Sequence, residues 1–252
     1  MGKANGVHTP IESGARFTRR QKDEEKADQK AYQELIGSVN YAAVATRADI
    51  SYAVGLLGRF ASDPSINHQN GAKRLLRYLQ RTAGKELCLG NRSRSGSDIA
   101  IYADADFAGD AVAMRSTSGM VVKDRYGATV AWKSTKQPIT ARSTADAEFI
   151  ATAMAMEYLW LSDLEKEFHY DRKSRPIPIY NDNTACIANI NSGEYQPQSR
   201  HVGVRYFWIK DLIRFGEATV SHIASDKMLA DGLTKGLDRT KHNLFIEYLG
   251  LI

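Results

Sequence analysis

Four acidic residues stand far apart in this chain, and each has a recognisable local setting. Asp104 and Asp182 each follow a short apolar run that predicts a buried strand, while Glu148 and Asp231 sit in or beside helical stretches. Gathering carboxylates near a core is costly, because like charges repel and each carboxylate loses hydration. A fold that aims several of them at one point usually neutralises them with metal ions. Oxygen-only ligation suits Mg²⁺ or Mn²⁺, and paired ions of this kind cut or join phosphodiesters.

Each acidic residue also has a simpler interpretation. A single Asp or Glu is more often a helix cap, a turn former or a solvated charge, so Asp182 is also a candidate helix N-cap and Asp231 a candidate surface residue. The segment that begins at Asp104 resembles a calcium loop, but Ala108 and Arg115 stand where that loop needs ligands. The prediction of a metal site therefore depends on the order of the four acids and on their strand contexts, and not on any one of them alone.

The composition excludes several protein classes. No apolar run approaches the roughly 20 residues of a membrane span, so no membrane partner is expected. Cys88 and Cys186 lie in apolar settings without CxxC spacing, which predicts two reduced core residues in an intracellular protein and neither disulfides nor a zinc-cysteine site. The net charge of +5 is compatible with a polyanionic partner without requiring one.

The chain divides at a turn-rich stretch over residues 90–98. Before it, residues 1–28 predict an extended or poorly ordered arm, and three helices follow within 29–90. These cover 32–44, a second helix capped by Asp49 and running to about residue 61, and 66–81. After it, the pattern predicts five strands, at 98–103, 117–123, 128–133, 177–181 and 218–223. Helices are expected at 143–168, 184–191, 202–215, 227–235 and 240–249.

Several segments in this order resemble the ribonuclease H domain of copia-type LTR retrotransposons. They are residues 102–110 (YADADFAGD), 115–119 (RSTSG), 132–138 (WKSTKQP), 143–151 (STADAEFIA), 180–183 (YNDN), 199–202 (SRHV) and 230–235 (ADGLTK). The preceding part is similar to the end of reverse transcriptase in the same polyproteins. That similarity lies in residues 35–41 (LIGSVNY), 46–50 (TRADI), 57–60 (LGRF) and 72–79 (AKRLLRYL).

The resemblance implies an α/β fold with a ribonuclease-H-like five-stranded mixed sheet flanked by helices and preceded by a small helical segment. The ribonuclease H domain would span 98–236, with a C-terminal helix in 237–252. It also implies hydrolysis of the RNA strand of RNA–DNA hybrids with two Mg²⁺ ions, for which Mn²⁺ can substitute. Asp104 would bridge both ions, Glu148 and Asp182 would complete one shell with Glu148 near the ribose 2′-OH, and Asp231 would hold the ion that activates water. The expected partners are the hybrid and the polymerase part of reverse transcriptase, in the cytoplasm within a virus-like particle or in the nucleus.

Basic residues supply candidate contacts to nucleic acid. Lys73, Arg77 and Arg81 recur every four residues on the third helix, where they form either a phosphate-binding face or a solvated one. Five others are expected at the edges of the cleft on which the four acidic side chains converge, namely Arg115, Lys133, Lys136, Arg205 and Lys235. His201 lies in a family motif and either touches substrate or starts a helix. His222 is a weaker candidate for the mobile histidine that aids product release in many ribonucleases H.

The departures from the family pattern are few. Asp146 stands where the family usually has Glu, and Phe107 where it has Trp; Glu148 enters the apolar helix as the family's catalytic Glu does. No Tyr-x-Asp-Asp polymerase motif occurs, so polymerase activity is not expected of this chain. Two alternatives stay open: a folded remnant that binds nucleic acid or a partner without cutting, and a related nuclease such as an integrase core, which the motif around Asp231 disfavours.

Overall fold

The structure is a computed structural model that describes residues 5–89, 99–110, 112–168, 176–192 and 200–252. Its strands are β1 Ala100–Asp106, β2 Thr117–Lys123, β3 Thr129–Lys136, β4 Ile177–Asn181 and β5 Ala218–His222. Its α-helices are α1 Gln29–Ala45, α2 Ser51–Gly58, α3 Ile66–Arg81, α4 Thr144–Met156, α5 Trp160–Phe168, α6 Thr184–Asn191, α7 Arg200–Arg214 and α8 Arg239–Leu249. Short 3₁₀ turns occupy Ala48–Ile50, Ser225–Lys227 and Asp231–Leu233.

The five strands form one mixed sheet in the order β3-β2-β1-β4-β5. The first three strands pair antiparallel, and β4 and β5 continue from β1 in parallel. This confirms the predicted α/β class with a five-stranded mixed sheet. Because β1 and β4 are parallel neighbours, their carboxyl ends meet at the same edge of the sheet, where ligands bind in such folds.

Strand alternation separates the two faces of the sheet. On one face, Ile101, Ala103 and Met120 pack in a core with Phe149 of α4. On the other face, a second core carries Val121, with Tyr102 and Trp132 against it, and these meet Ala48, Leu233 and Phe245. The strand β2 is buried along its whole length because both of its faces and both of its edges are covered.

The first three helices share a core of their own, which includes Tyr32, Ile36, Leu57 and Leu75. The predicted first and third helices are confirmed, the first extended to Gln29–Ala45. Residues 5–28 contain no helix and lie against this core, with Ile11 buried in it. The predicted division of the chain stays a prediction, since residues 90–98 lie outside the described ranges.

The prediction that Asp49 caps the second helix is wrong. Asp49 lies in the turn before α2, and its buried carboxylate accepts hydrogen bonds from Arg47 Nη2 at 2.8 Å and Tyr78 Oη at 2.6 Å. Tyr78 Oη also meets His242 Nε2 of α8 at 2.9 Å. This buried network joins the helical segment to the end of the chain, and a partner 29 positions away decides the role of Asp49.

Three predicted bounds also need correction. The strand β1 continues to Asp106, so Asp104 lies within it and not after it. The long helix is split between α4 and α5, because Tyr158 and Leu159 donate backbone hydrogen bonds to residues three positions back, which tightens the chain and buries Leu159. The expected helix over 227–235 is replaced by two 3₁₀ turns, and there Gly232 packs so closely on Phe245 that an added Cβ would lie 2.4 Å from its ring.

The two cysteines differ in burial. Cys186 is buried in the core as predicted, but Cys88 is exposed, so its prediction as a core residue is wrong. The segment that carries Cys88 pairs along the surface with the end of the chain, where the Cys88 N–H donates to Gly250 O at 2.9 Å. Among the described residues, no helix combines the length and the apolar character needed to cross a membrane.

Candidate active site

Asp104 is the central acid of the site. It lies in β1 opposite Gly119 of β2, and only 5% of its surface is exposed. Its Oδ2 accepts a hydrogen bond of 2.5 Å from Thr234 Oγ1, which arrives from the segment after β5. A charge-assisted bond of this kind fixes the carboxylate in one orientation.

Gly119 makes this approach possible. A Cβ at this position would lie 2.7 Å from Thr234 Cγ2 and 2.9 Å from the backbone oxygen of Ala230. A glycine opposite Asp104 therefore leaves the space in which residues 230–234 pack against the sheet. In sequence it is part of the Arg-Ser-Thr-Ser-Gly segment, and the structure supplies the physical reason for a glycine there.

Asp182 follows β4 directly, next to β1 in the sheet. It is not the N-cap of α6: that position belongs to Asn183, whose side chain accepts the Cys186 N–H at 2.9 Å. The capping interpretation of Asp182 is therefore wrong. Its carboxylate is left to face the edge of the sheet where β1 and β4 end.

Glu148 comes from the second turn of α4, which begins after Ser143, whose hydroxyl accepts the Asp146 N–H. Glu148 is buried, and its Oε2 accepts a hydrogen bond of 3.0 Å from Asn181 Nδ2. Asn181 is itself fully buried, and its Oδ1 accepts the Asn183 N–H at 2.7 Å. Sequence reasoning missed Asn181, although it stands immediately before Asp182 at the end of a strand.

The three carboxylates converge. Asp104, Glu148 and Asp182 each offer an oxygen within 4.8 Å of the others. Among the described residues, they form the cluster of His, Cys, Asp or Glu side chains that could hold a metal ion. Burial, followed by the charge of Asp231, raises the pKa of Asp104, and burial, followed by the charge of Asp104, raises the pKa of Glu148. A bound cation would relieve both penalties, and the all-oxygen donor set fits Mg²⁺ or Mn²⁺.

Asp231 lies beside this group and outside it. It begins the turn Asp231–Leu233, and its Oδ1 pairs with Lys235 Nζ at 2.8 Å. Its charge is nevertheless the second-largest cause of the raised pKa of Asp104, so the two carboxylates are close in space. The structure thus brings three of the four predicted acids into one compact group and sets the fourth on its rim.

A further acid, Asp106, was not singled out from the sequence. Strand alternation puts it on the same face of β1 as Asp104. Burial raises its pKa, while the charges of Lys235 and Arg59 act in the opposite direction. Arg59 belongs to the helical segment, at the end of α2, and its Nη2 donates to Thr117 Oγ1 at 3.1 Å. The period-two pattern of the strand could have identified Asp106.

The predicted basic contacts are spread more widely. Lys136 lies on β3, separated from Asp106 by Thr117 of β2, and it forms an ion pair with Asp110. Lys133 approaches Glu157, after the last turn of α4, at 3.8 Å. Arg115 and Arg205 are half-buried.

The remaining candidates lie on other elements. On α3, Lys73 is exposed, while Arg77 Nε donates to Asn5 O at 2.7 Å, so part of its hydrogen-bonding capacity is used by the N-terminal segment. His222 ends β5 opposite Asn181 and is exposed. The side chain of His201 lies outside the described part of the chain.

Comparison with known proteins gives relatives along the whole chain. It is 34% identical to the retrovirus-related Pol polyprotein from transposon TNT 1-94 of Nicotiana tabacum, over 100% of this chain and 19% of that protein. It is 33% identical to the retrovirus-related Pol polyprotein from transposon RE1 of Arabidopsis thaliana, over 89% of this chain and 15% of that protein. The chain therefore spans less than a fifth of each. No protein-family model matches it.

Among solved structures, the chain is similar to LC11-RNase H1 in complex with an RNA/DNA hybrid. The sequence identity is 21%, the match covers 54% of this chain and 94% of that one, and the TM-score is 0.40.

Proposed function

Because the chain belongs to the retrovirus-related Pol polyproteins of copia-type transposons, we propose that it is their ribonuclease H region. In this proposal it hydrolyses the RNA strand of RNA–DNA hybrids. The observation that carries the proposal is the compact group of Asp104, Glu148 and Asp182 at the carboxyl ends of β1 and β4. The rest of the polyprotein, including its polymerase part, is the partner we propose.

In this proposal the acidic residues would hold two divalent cations, which would stabilise the attacking and leaving oxygens of the phosphodiester. Asp104 would be shared between the two ions, Glu148 and Asp182 would complete one set of ligands, and Asp231 would contribute to the other. We propose Mg²⁺, with Mn²⁺ as a substitute, because every donor is a carboxylate oxygen.

The surrounding residues hold these carboxylates in place. Asn181 donates to Glu148 and Thr234 donates to Asp104, so both carboxylates are already oriented before substrate binds. Residues that fix the direct ligands of a site in this way support affinity and rate. We propose that Glu148 also meets the ribose 2′-OH, the group by which a protein distinguishes RNA from DNA.

The hybrid backbone is held by positive charge around this edge. Lys136 and Lys235 are the residues best placed. Lys136 lies two strands away from Asp106 in the same register of the sheet, and Lys235 pairs with Asp231. Arg115, Lys133, Arg205, His201, Lys73 and Arg77 complete the proposed set. Contacts of this kind give salt-dependent, sequence-independent affinity.

The test is cleavage of labelled RNA–DNA hybrid, duplex RNA and duplex DNA by the isolated chain, with Mg²⁺ and with EDTA. Cleavage of the RNA strand of the hybrid alone, only with Mg²⁺, is the expected result. Glu148→Gln should lower the rate by more than the roughly ten- to a hundredfold lost with residues that only orient metal ligands, because it removes a direct ligand. Asp146→Asn is the matched control two positions earlier on α4, and it should cut like the wild type.

A wild-type chain that binds the hybrid and leaves it intact with Mg²⁺ or Mn²⁺ would refute the enzymatic proposal. It would favour a remnant that binds without cutting. Cleavage of duplex DNA by the same site would instead favour a nuclease of the integrase kind.

A further inference from the structure

The side chain of Lys235 occupies an unusual place for a lysine. Its Nζ lies 2.8 Å from Asp231 Oδ1, four residues earlier. The residue before it, Thr234, donates to Asp104 Oδ2, which anchors this part of the chain at the acidic site. The lysine side chain is 46% exposed and the carboxylate of Asp231 is 19% exposed. The pair is thus on the rim, with the ammonium able to reach water.

Three carboxylates act on this one ammonium. Burial lowers the pKa of Lys235, but the hydrogen bond and charge of Asp231, together with the charges of Asp104 and Asp106, outweigh it and raise the pKa overall. Asp104 and Asp106 share a face of β1, so the lysine lies where their field and that of Asp231 overlap. Arg59 adds positive charge near Asp106, and it also lies 3.8 Å from Asp110 Oδ2.

We propose that the Lys235 ammonium is a built-in counter-ion of Asp231 that must leave before a second divalent cation can bind there. This inference rests on the proposed nuclease function and deepens it. The compact group of Asp104, Glu148 and Asp182 supplies the ligands for one cation. Asp231 is committed to the lysine and takes part in cation binding only after the ammonium has moved.

The reason is electrostatic and steric. An ammonium in contact with Asp231 Oδ1 occupies the position that a cation on that oxygen would need, and it repels a divalent ion nearby. The lysine side chain is long and flexible, so it can swing outward to a new acceptor. A phosphate oxygen of the bound hybrid is such an acceptor at this edge. Binding of the nucleic acid and binding of the second cation therefore favour each other, and this coupling is reciprocal.

The experiment is a titration of the full chain with Mn²⁺ in the absence of nucleic acid. Binding is measured by calorimetry and by the electron paramagnetic resonance signal of free Mn²⁺. The wild type should bind one Mn²⁺ more tightly than the second. Lys235→Gln should tighten the second dissociation constant by about fivefold, the scale of an exposed ion pair, and leave the first unchanged. Lys235→Arg, which keeps the charge, should leave both unchanged.

Lys241→Gln is the matched control, since Lys241 is an exposed lysine on α8 and the change in net charge is the same. It should leave both dissociation constants as in the wild type. An unchanged or weaker second site in Lys235→Gln would overturn the inference, and so would equal tightening by Lys241→Gln.

The two proposals can fail separately. If the wild type cuts the hybrid with Mg²⁺ but Lys235→Gln binds Mn²⁺ like the wild type, the inference falls and the nuclease proposal stands. If the wild type binds no Mn²⁺, and Asp104→Asn leaves hybrid cleavage unchanged, the cation site itself is refuted and both proposals fall.

Discussion

Asn181 holds Glu148 through a hydrogen bond of 3.0 Å between Asn181 Nδ2 and Glu148 Oε2, and the asparagine has no exposed surface. The amide also lies 3.3 Å from Ala103 O and 3.3 Å from Thr152 Oγ1. It therefore ties the ends of β1 and β4 to α4 and fixes Glu148 relative to Asp104. The bond opposes the rise in the pKa of Glu148 that burial and Asp104 cause.

Asn181→Ala should lower kcat by about ten- to a hundredfold, the usual range for residues that orient metal ligands. KM for the hybrid should change little, because Asn181 is buried and does not meet substrate. Steady-state kinetics on hybrid measure both, and Mn²⁺ affinity gives a second readout. Asn189→Ala on the exposed side of α6 is the matched control. A normal kcat in Asn181→Ala would contradict the positioning role.

Gly119→Ala should harm both stability and activity. The added Cβ would meet Thr234 Cγ2 at 2.7 Å and the Ala230 oxygen at 2.9 Å, and a backbone oxygen cannot turn away as a flexible side chain can. Residues 230–234 must then shift from the sheet, at a cost of about 1–3 kcal/mol, and Thr234 loses its bond to Asp104. Urea unfolding and hybrid cleavage measure the two effects.

Gly37→Ala gives the opposite expectation. Gly37 is exposed on α1, and nothing lies within 4 Å of an added Cβ, so the substitution should stabilise by about 0.5–1 kcal/mol. If both alanine variants unfold at the wild-type urea concentration, then close packing at Gly119 does not hold the segment in place.

The sequence could predict the parts of the site that depend on local pattern. The apolar runs before Asp104 and Asp182 identify strands, and parallel strands bring their ends together. Asn181 and Thr234 could not be found this way, because each acts through a contact with a distant element: Glu148 is 33 positions away from the first, and Asp104 is 130 positions from the second.

The errors in the fold have the same origin. Residues 157–159 contain neither glycine nor proline, so nothing local predicts the break between α4 and α5, at which Leu159 packs into the sheet core. Asp49 precedes an apolar helix as a cap would, but Arg47 and Tyr78 take its carboxylate. Local pattern predicts elements well where tertiary partners do not compete for the same groups.

His242 should make stability depend on pH. Burial lowers its pKa from 6.5 to about 4, while Asp49 raises it and Arg47 lowers it further, and Tyr78 Oη is its hydrogen-bond partner. The unfolded chain therefore takes up a proton below about pH 6.5 that the folded chain refuses until about pH 4. In that window the free energy of unfolding falls with decreasing pH, by up to about 1.4 kcal/mol per pH unit.

Urea unfolding at pH 7 and pH 5 measures this effect in the wild type and in His242→Gln. The variant should lose less stability between the two conditions, by on the order of 1 kcal/mol, because every other titrating group is common to both. Above pH 6.5 the two should respond to pH alike. Parallel losses between pH 7 and pH 5 would show that His242 takes up its proton equally in the folded and unfolded states.

Lys136 should contribute one phosphate contact. It ends β3 in line with Thr117 of β2 and Asp106 of β1, and its ion pair with Asp110 holds the side chain there. In an Asp104→Asn background, which prevents cleavage, Lys136→Gln should weaken hybrid binding and lower the slope of log affinity against log salt by about one. Lys136→Arg should restore both, and Lys241→Gln in the same background should change neither. If the slope stays at its starting value while affinity falls, Lys136 supports the site through Asp110 and does not bind the backbone.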